Sequence, residues 1–473
     1  MNDSSIPLCV GLDGTLTPVR IADELLFLAA KQSPATFFRL LAWFNRRTQS
    51  TTPPVLENLQ LDFANLPLRA ELVEWLRRER SNGRRLVLIV DAGGYPAASV
   101  ASDLNLFDEI TTTEYQQGTP AERKRDALVA RFGEHGFDYV GIGPDDKKIW
   151  DASRQAIVVG DAKLGRGVDR STTVATASPD SRASLRLWIK AMRLHQWAKN
   201  GLIFVPAILA HVITTPSVLF HGLVAFVAFG LCASSVYLLN DLFDLAADRR
   251  HPRKRYRPFA AGQLSTRGGF AVAVSLSIVA AIMAVAAGYR FAAVLSGYYV
   301  LTWAYSLHLK RVPLLDVMML AGLYTLRIVA GAAAMRIPLS FWILAFSVFI
   351  FFSLGFVKRY AELDDARKLG NFVGHARGYS DTDLPLIMSL GTASGYCAIV
   401  VLALYINSAD SQALYLHHKP LWLICPLMLF WISRVWILTS RGVMHDDPVI
   451  FALRDRVSLI IFAALCVIFL SSI

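Results

Sequence analysis

The sequence predicts an α/β domain followed by an all-α membrane domain, and three observations predict it. Residues 1–190 mix charged and apolar residues as a soluble domain does. Short apolar strands there alternate with helical stretches, the pattern of a parallel sheet covered by helices. From about residue 200 onward, runs of about 20 apolar residues recur, each long enough to cross a bilayer as a helix. The expected division is 1–185 for a Rossmann-like α/β domain with a helical cap, and 186–473 for a multi-spanning domain.

In the first part, strands are expected at 7–12 (PLCVGL), 85–91 (RLVLIVD), around 138–142 (DYVGI) and 155–160. Residues 20–80 interrupt this alternation with apolar, helix-like sequence, as an inserted cap would. The N-terminus MNDSSIPLCVGLDGT has neither a basic leader nor a long apolar core, so no signal peptide is expected. The five cysteines are scattered, without metal or redox spacing, and are expected to be packing residues.

Nine spans are expected in the second part. They fall near 200–214, 218–239, 268–288, 291–307, 314–335, 339–357, 385–407, 420–439 and 457–473, the first weakened by Pro206. Placing the soluble domain in the cytoplasm puts the loops 240–267, 308–313, 358–384 and 440–456 on its side. These hold about 17 Lys and Arg, against Arg290, Arg336 and Lys419 opposite. The bias predicts N-in, C-out orientation in the cell's inner (plasma) membrane. It also accounts for much of the net charge of +11, so nucleic acid is not needed as a partner.

Residues 240–258, NDLFDLAADRRHPRKRYRP, carry the densest chemistry. Asp241, Asp244 and Asp248 stand at i, i+3 and i+7, one face of a helix. Arg249, Arg250, Arg253, Lys254, Arg255 and Arg257 follow. Clustered carboxylates at the end of a membrane segment repel one another unless a cation sits between them. An all-oxygen face suits Mg²⁺, which binds one or two carboxylates plus substrate phosphates. The adjacent cations suit the remainder of a diphosphate. A solvated loop is the plain alternative, but helical spacing, charge density and membrane position coincide here.

Over about 1–165 the chain resembles the haloacid-dehalogenase-like hydrolases. The DGT of their first motif is intact as Asp13, Gly14 and Thr15, but Gly11 stands at the nucleophile position. The second motif reads Val90–Asp91 where a hydroxyl is expected, and Lys124 fits the third. In the fourth, Ile142 replaces an acidic residue while Asp146 remains. Phosphatases of this class need a carboxylate to form the aspartyl-phosphate, which glycine cannot supply. The expectation is a domain without phosphatase activity, kept as fold, docking surface or regulator.

From about residue 187 the chain resembles the UbiA-type intramembrane prenyltransferase superfamily. The resemblance rests on MRLHQWAKNGLIF (Met192–Phe204), the NDxxDxxxD run Asn240–Asp248 and the nine expected helices. It implies two acidic motifs facing each other across a cytoplasmic-side cavity, holding Mg²⁺ on a diphosphate. The second motif departs from the usual DxxxD: it reads KRYAELDDARK, with Lys358, Arg359, Glu362 and Asp365. This run and YSLHLKRVPLLDV (Tyr305–Val317) look like the polyprenyl-phosphate phosphoribosyltransferases within the superfamily. The resemblance implies Asp241, Asp244 and Asp248 as metal and catalytic residues, with Lys358, Arg359 and Glu362 also catalytic. It further implies substrate contacts from Lys199, Asn240, Arg253, Lys254, Arg255, Arg257, Tyr305, Lys310, Asp316 and Arg327.

Charges inside apolar spans should face a cavity or a partner. Arg327 is expected to be functional, with a structural ion pair as the alternative, and Arg434 is equally embedded. The loop with His445, Asp446, Asp447, Arg454 and Asp455 is expected to form a gate or structural network rather than to ligate metal. His195 and Lys199 could touch phosphate or anchor the interface.

Three functions remain open on sequence. The first is phosphoribosyl transfer from 5-phosphoribosyl diphosphate to a polyprenyl phosphate. The second is prenyl transfer from a polyprenyl diphosphate to an aromatic or other small acceptor. The third is a non-catalytic membrane anchor or transporter. Oligomeric state is not legible.

Overall fold

The computed structural model describes residues 6–45, 65–90, 105–113, 119–159, 171–174, 181–368, 378–444 and 447–473. The chain forms two compact units, Met1–Met192 with Tyr237–Val272, and Arg193–Val236 with Ala273–Ile473. This differs from a single cut at 185/186, because Tyr237–Val272 belongs with the N-terminal residues.

The first unit is built on a six-stranded parallel sheet: β1 (Leu8–Gly11), β2 (Leu86–Val90), β3 (Glu109–Thr112), β4 (Asp138–Gly141), β5 (Gln155–Val159) and β6 (Ser171–Val174). Their spatial order, β3-β2-β1-β4-β5-β6, is that of a doubly wound fold. Every residue of β1, β2 and β4 is buried, as strands covered on both faces require. Alternate residues feed two cores. Leu8, Val10, Leu86, Leu88 and Val140 pack with Leu16, Leu25 and Leu72. Cys9, Val87, Ile89 and Tyr139 pack with Leu128, Phe137 and Trp150. The outer strands β3 and β6 add to the four expected; EITT and STTV are too short and polar to announce themselves.

Two helices, α1 (Ile21–Gln32) and α2 (Pro34–Asn45), occupy the start of the expected insertion. The helix Pro120–Phe132 starts with a capping box between Thr119 and Glu122 and stops at Gly133, whose φ of +81° suits glycine. Asp138 is fully buried and held by Arg84 and by Arg154, whose Nε and Nη2 donate at 2.9 and 2.6 Å.

Six helices among the described residues are long and apolar enough to cross a membrane: Pro216–Phe243, Thr266–Ala287, Leu315–Met335, Phe341–Lys368, Leu384–Ile406 and Lys419–Ser440. The other three expected spans take different forms. Tyr289–Leu307 is a 19-residue helix whose Ser, Thr, Trp and Tyr residues dilute its apolarity. Arg456–Ser472 is apolar and 17 residues long. The first expected span is a 3₁₀ stretch, Leu194–Phe204, followed by the five-residue helix Val205–Leu209.

The second unit packs around Val317, Phe356, Ile432, Val435 and Trp436. Gly391 lets two helices approach closely, since a Cβ there would meet the Trp436 ring at 2.1 Å. Ser353 joins them, accepting from Trp436 Nε1 at 3.1 Å and donating to the Gly391 carbonyl at 2.6 Å.

Candidate active site

The aspartate run lies at a helix break. Helix Pro216–Phe243 ends just after Asp241, Asp244 is the N-cap of Leu245–Arg250, and Asp248 sits in that short helix. The break separates the three carboxylates that an unbroken helix would stack on one face. Asp241 and Asp248 are buried and meet on one nitrogen: Arg257 Nη1 donates to Asp241 Oδ1 at 3.1 Å and to Asp248 Oδ2 at 2.6 Å. Burial lifts the Asp248 carboxyl above its ordinary range despite Arg257. Asp244 instead lies 3.0 Å from Lys31 Nζ. Among the described residues no three His, Cys, Asp or Glu side chains converge as a ready-made metal cage. Arg253, Lys254 and Arg255 are exposed beyond the pair.

The second unit carries two further charge clusters. In one, Asp447 Oδ2 accepts from Lys199 Nζ at 2.6 Å and lies 3.7 Å from Lys358 Nζ. The Tyr324 hydroxyl lies 3.0 and 3.1 Å from the two Asp447 oxygens. Burial pulls the Lys199 ammonium down to about 8, with Asp447 opposing the shift. Burial alone would raise Asp447; Lys199 and Lys358 outweigh it and hold the carboxyl below its ordinary range. Arg327 is buried among the rings of Phe229, Tyr298 and Tyr324 at 5.2–5.4 Å. It donates to Asn200 Oδ1 at 3.2 Å, to the Leu323 carbonyl at 2.6 Å and to the Tyr298 hydroxyl at 3.3 Å.

In the other cluster, Arg359 is 1% exposed and pairs with Glu362 and with Asp316, the latter at 2.5 Å. Tyr379 donates to Asp316 Oδ1 at 2.7 Å and accepts from the Leu314 amide. This is the setting of a buried ion pair, in which the expected catalytic Arg359 and the expected substrate contact Asp316 meet each other. Lys358, next in sequence, points to Asp447 instead. Arg434 pairs with Asp455 at 2.6 and 3.0 Å, again a structural bridge. Tyr305 and Lys310 are partly buried, as is Asn240. Asp91, His445 and Asp446 lie outside the described residues.

Sequence reasoning missed Tyr324, whose partner lies 123 positions away, and Tyr379, 63 positions from Asp316. A tyrosine within an apolar span was the available signal, and it does not separate packing from hydrogen bonding.

The first unit's Gly11 is crowded: a Cβ there would meet the Tyr139 hydroxyl at 3.0 Å and Thr15 Oγ1 at 3.2 Å. The Asp146 carboxylate is turned inward, accepting from the Ile142 amide at 2.9 Å and from Tyr139 at 3.4 Å.

Long apolar helices, with a carboxylate–guanidinium cluster closing one of them, define a multi-pass membrane protein. The chain belongs to the UbiA prenyltransferase family, whose model matches residues 202–470, more than half its length. It is 36% identical over 465 residues to the uncharacterized protein y4nM of Sinorhizobium fredii, covering 96% of this chain and 89% of that one. It is 32% identical over 281 residues to the decaprenyl-phosphate phosphoribosyltransferase of Mycobacterium tuberculosis, covering 57% of this chain and 88% of the relative. A solved UbiA homolog from Archaeoglobus fulgidus bound to GPP and Mg²⁺ aligns with 60% of this chain and 99% of its own, at 16% identity and a TM-score of 0.47.

Proposed function

We propose that this protein is a Mg²⁺-dependent intramembrane transferase that moves phosphoribose from 5-phosphoribosyl diphosphate to a polyprenyl phosphate. The observation that carries the diphosphate chemistry is the meeting of buried Asp241 and Asp248 on one cationic nitrogen. Two carboxylates aimed at one point would suit Mg²⁺, which binds one or two carboxylates together with substrate phosphates. The phosphoribosyl donor is supported by the Mycobacterium tuberculosis relative and by a surplus of cation: Lys199 and Lys358 share one carboxylate among the described residues.

Mg²⁺ supplies neutralisation of the charge on the departing diphosphate. Asp241 and Asp248 would hold it, with Asp244 and Asn240 next in the run, and Arg257 would be released from the carboxylates to bind phosphate. Arg253, Lys254 and Arg255 draw the anionic donor in. Lys199, Lys358 and Lys310 bind phosphate, with Tyr305 and Arg327 as substrate contacts. The Arg359–Asp316–Glu362 cluster keeps the second motif in place.

The bond between the anomeric carbon and the diphosphate oxygen breaks, and its electron pair leaves with the diphosphate. An oxygen of the lipid phosphate forms the new bond to that carbon. The attacking phosphate is already an anion near neutral pH, so no strong general base is needed.

The N-terminal sheet unit is assigned as a haloacid-dehalogenase-like domain without phosphatase chemistry, supported by its strand order and by Tyr139 crowding Gly11. The loop charge bias supports its placement on the cytoplasmic face of the plasma membrane.

The test incubates membranes with labelled 5-phosphoribosyl diphosphate, a polyprenyl phosphate and Mg²⁺. A labelled lipid is expected from the wild type and none from Asp241→Asn. Label transfer only from a polyprenyl diphosphate to an aromatic acceptor would replace this reading with prenyl transfer. Full turnover in Asp241→Asn would remove the metal role.

A further inference from the structure

The chemistry above makes no use of Glu24, yet Glu24 is tied to the aspartate run by a two-point ion pair. It lies on α1 of the sheet unit, and its carboxylate takes both ends of the Arg249 guanidinium, at 2.6 and 2.5 Å. The two side chains are 4% and 5% exposed. Arg249 directly follows Asp248, and its Nε donates to the Ala260 carbonyl at 3.1 Å, so the guanidinium is fixed on both sides.

The same face of α1 makes further contacts with this segment. Asp23 Oδ1 accepts from Arg267 Nε at 2.7 Å. The Phe27 ring meets Phe243 and Phe270 edge-on, at 6.2 and 6.1 Å. Lys31 Nζ donates to the Phe243 carbonyl at 3.1 Å and to Asp244 Oδ1 at 3.0 Å. Residues 23, 24, 27 and 31 recur at helical spacing, so one stripe of one helix grips the chain within and after the aspartate run.

A buried ion pair of this kind adds little net stability, because desolvating both charges offsets their attraction; its best-attested use is to fix registry. We propose that Glu24 is a positioning residue of the transferase: acting through Arg249, it orients Asp248 and so sets the spacing of the Asp241–Asp248 pair. The sheet unit is thereby a working part of the transferase. The proposal rests on the metal role of Asp241 and Asp248.

The experiment titrates Mg²⁺ with the full-length protein in vesicles, read both by calorimetric Mg²⁺ binding without substrates and by the transfer assay, with the same shift expected in each. Glu24→Gln keeps the shape and removes the charge. Residues that orient metal ligands typically change metal affinity or activity by about 10- to 100-fold when altered. The expected result is a rise of about 10-fold or more in the Mg²⁺ concentration at half-maximal rate, with the KM for the lipid phosphate unchanged. Glu24→Asp, which keeps the charge, is expected to recover most of the Mg²⁺ response. It also serves as the reading should the glutamine variant fold poorly, through a smaller shift of the same sign. Glu109→Gln, at the sheet edge, is the control and leaves the Mg²⁺ response unchanged. Wild-type Mg²⁺ dependence in both Glu24 variants, with Asp241→Asn inactive, overturns the positioning role alone. Turnover persisting in Asp241→Asn removes the metal role and this proposal with it.

Discussion

Asp447→Asn isolates the charge that holds Lys199 and Lys358 together. The replacement keeps the side chain's shape and its capping bond from the Val449 amide, 3.2 Å from Oδ1. What it removes is the counter-charge 2.6 Å from one ammonium and 3.7 Å from another. At an effective dielectric of about 20, the closer contact alone is worth about 6 kcal/mol of gross Coulomb attraction. Relaxation trims this, and breaking a buried pair from one side costs about 3–5 kcal/mol.

Lys199 has an escape: already down at about 8 with Asp447 present, it gives up its proton still more readily once the carboxylate is gone. The sign of the pH dependence follows. A lysine whose folded value lies below its ordinary 10.5 adds stability as pH rises across the window from about 8 to 10.5. The stability gap between wild type and variant is therefore largest at pH 6 and narrows at pH 9, where Lys199 is neutral in both. Thermal unfolding of the purified protein at the two pH values measures the gap. A pH–rate profile follows the Lys199 charge, whose basic limb near 8 in the wild type moves to lower pH in the variant. An equal gap at both pH values, with the basic limb unmoved, refutes the reasoning.

Two further outcomes are expected of the sheet unit. Gly11→Asp leaves phosphomonoester hydrolysis absent, because the new Cβ meets the Tyr139 hydroxyl at 3.0 Å and Asp146 is already engaged with the Ile142 amide; phosphate release in a colorimetric assay checks this. Asp138→Ala strands Arg84 and Arg154 beside a buried gap and lowers stability by about 3–5 kcal/mol, read as a lower unfolding midpoint of the full chain.

How much of this was legible depended on whether the cause was local. The strands LCVG, LVLIV, DYVG and QAIVV stood out because fully buried strands read as continuous apolar runs. The six long spans stood out because about 20 apolar residues in a row have few other uses. The weakened first span was legible as weak, since Pro206 lacks an amide donor, but its 3₁₀ winding was not. In the candidate site, the spacing of Asp241, Asp244 and Asp248 suggested one continuous face. A helix break at Asp244 divided them, and no residue type there forces a break.

The sequence alone determined which residues carry charge at the ends of apolar spans, the likeness to a family of membrane transferases, and that Gly11 offers no side-chain nucleophile. These follow from composition, periodicity and single-residue chemistry. Only the tertiary structure decided how each charge is used. Arg359 and Lys358 are neighbours in sequence, yet one is sealed between Asp316 and Glu362 while the other turns to Asp447. Arg249 stands among six cations, yet it alone is locked to Glu24, 225 positions away. An ion's role is set by what lies within a few ångströms of it, because Coulomb attraction and desolvation act through space, and chain order does not record which distant residues arrive there.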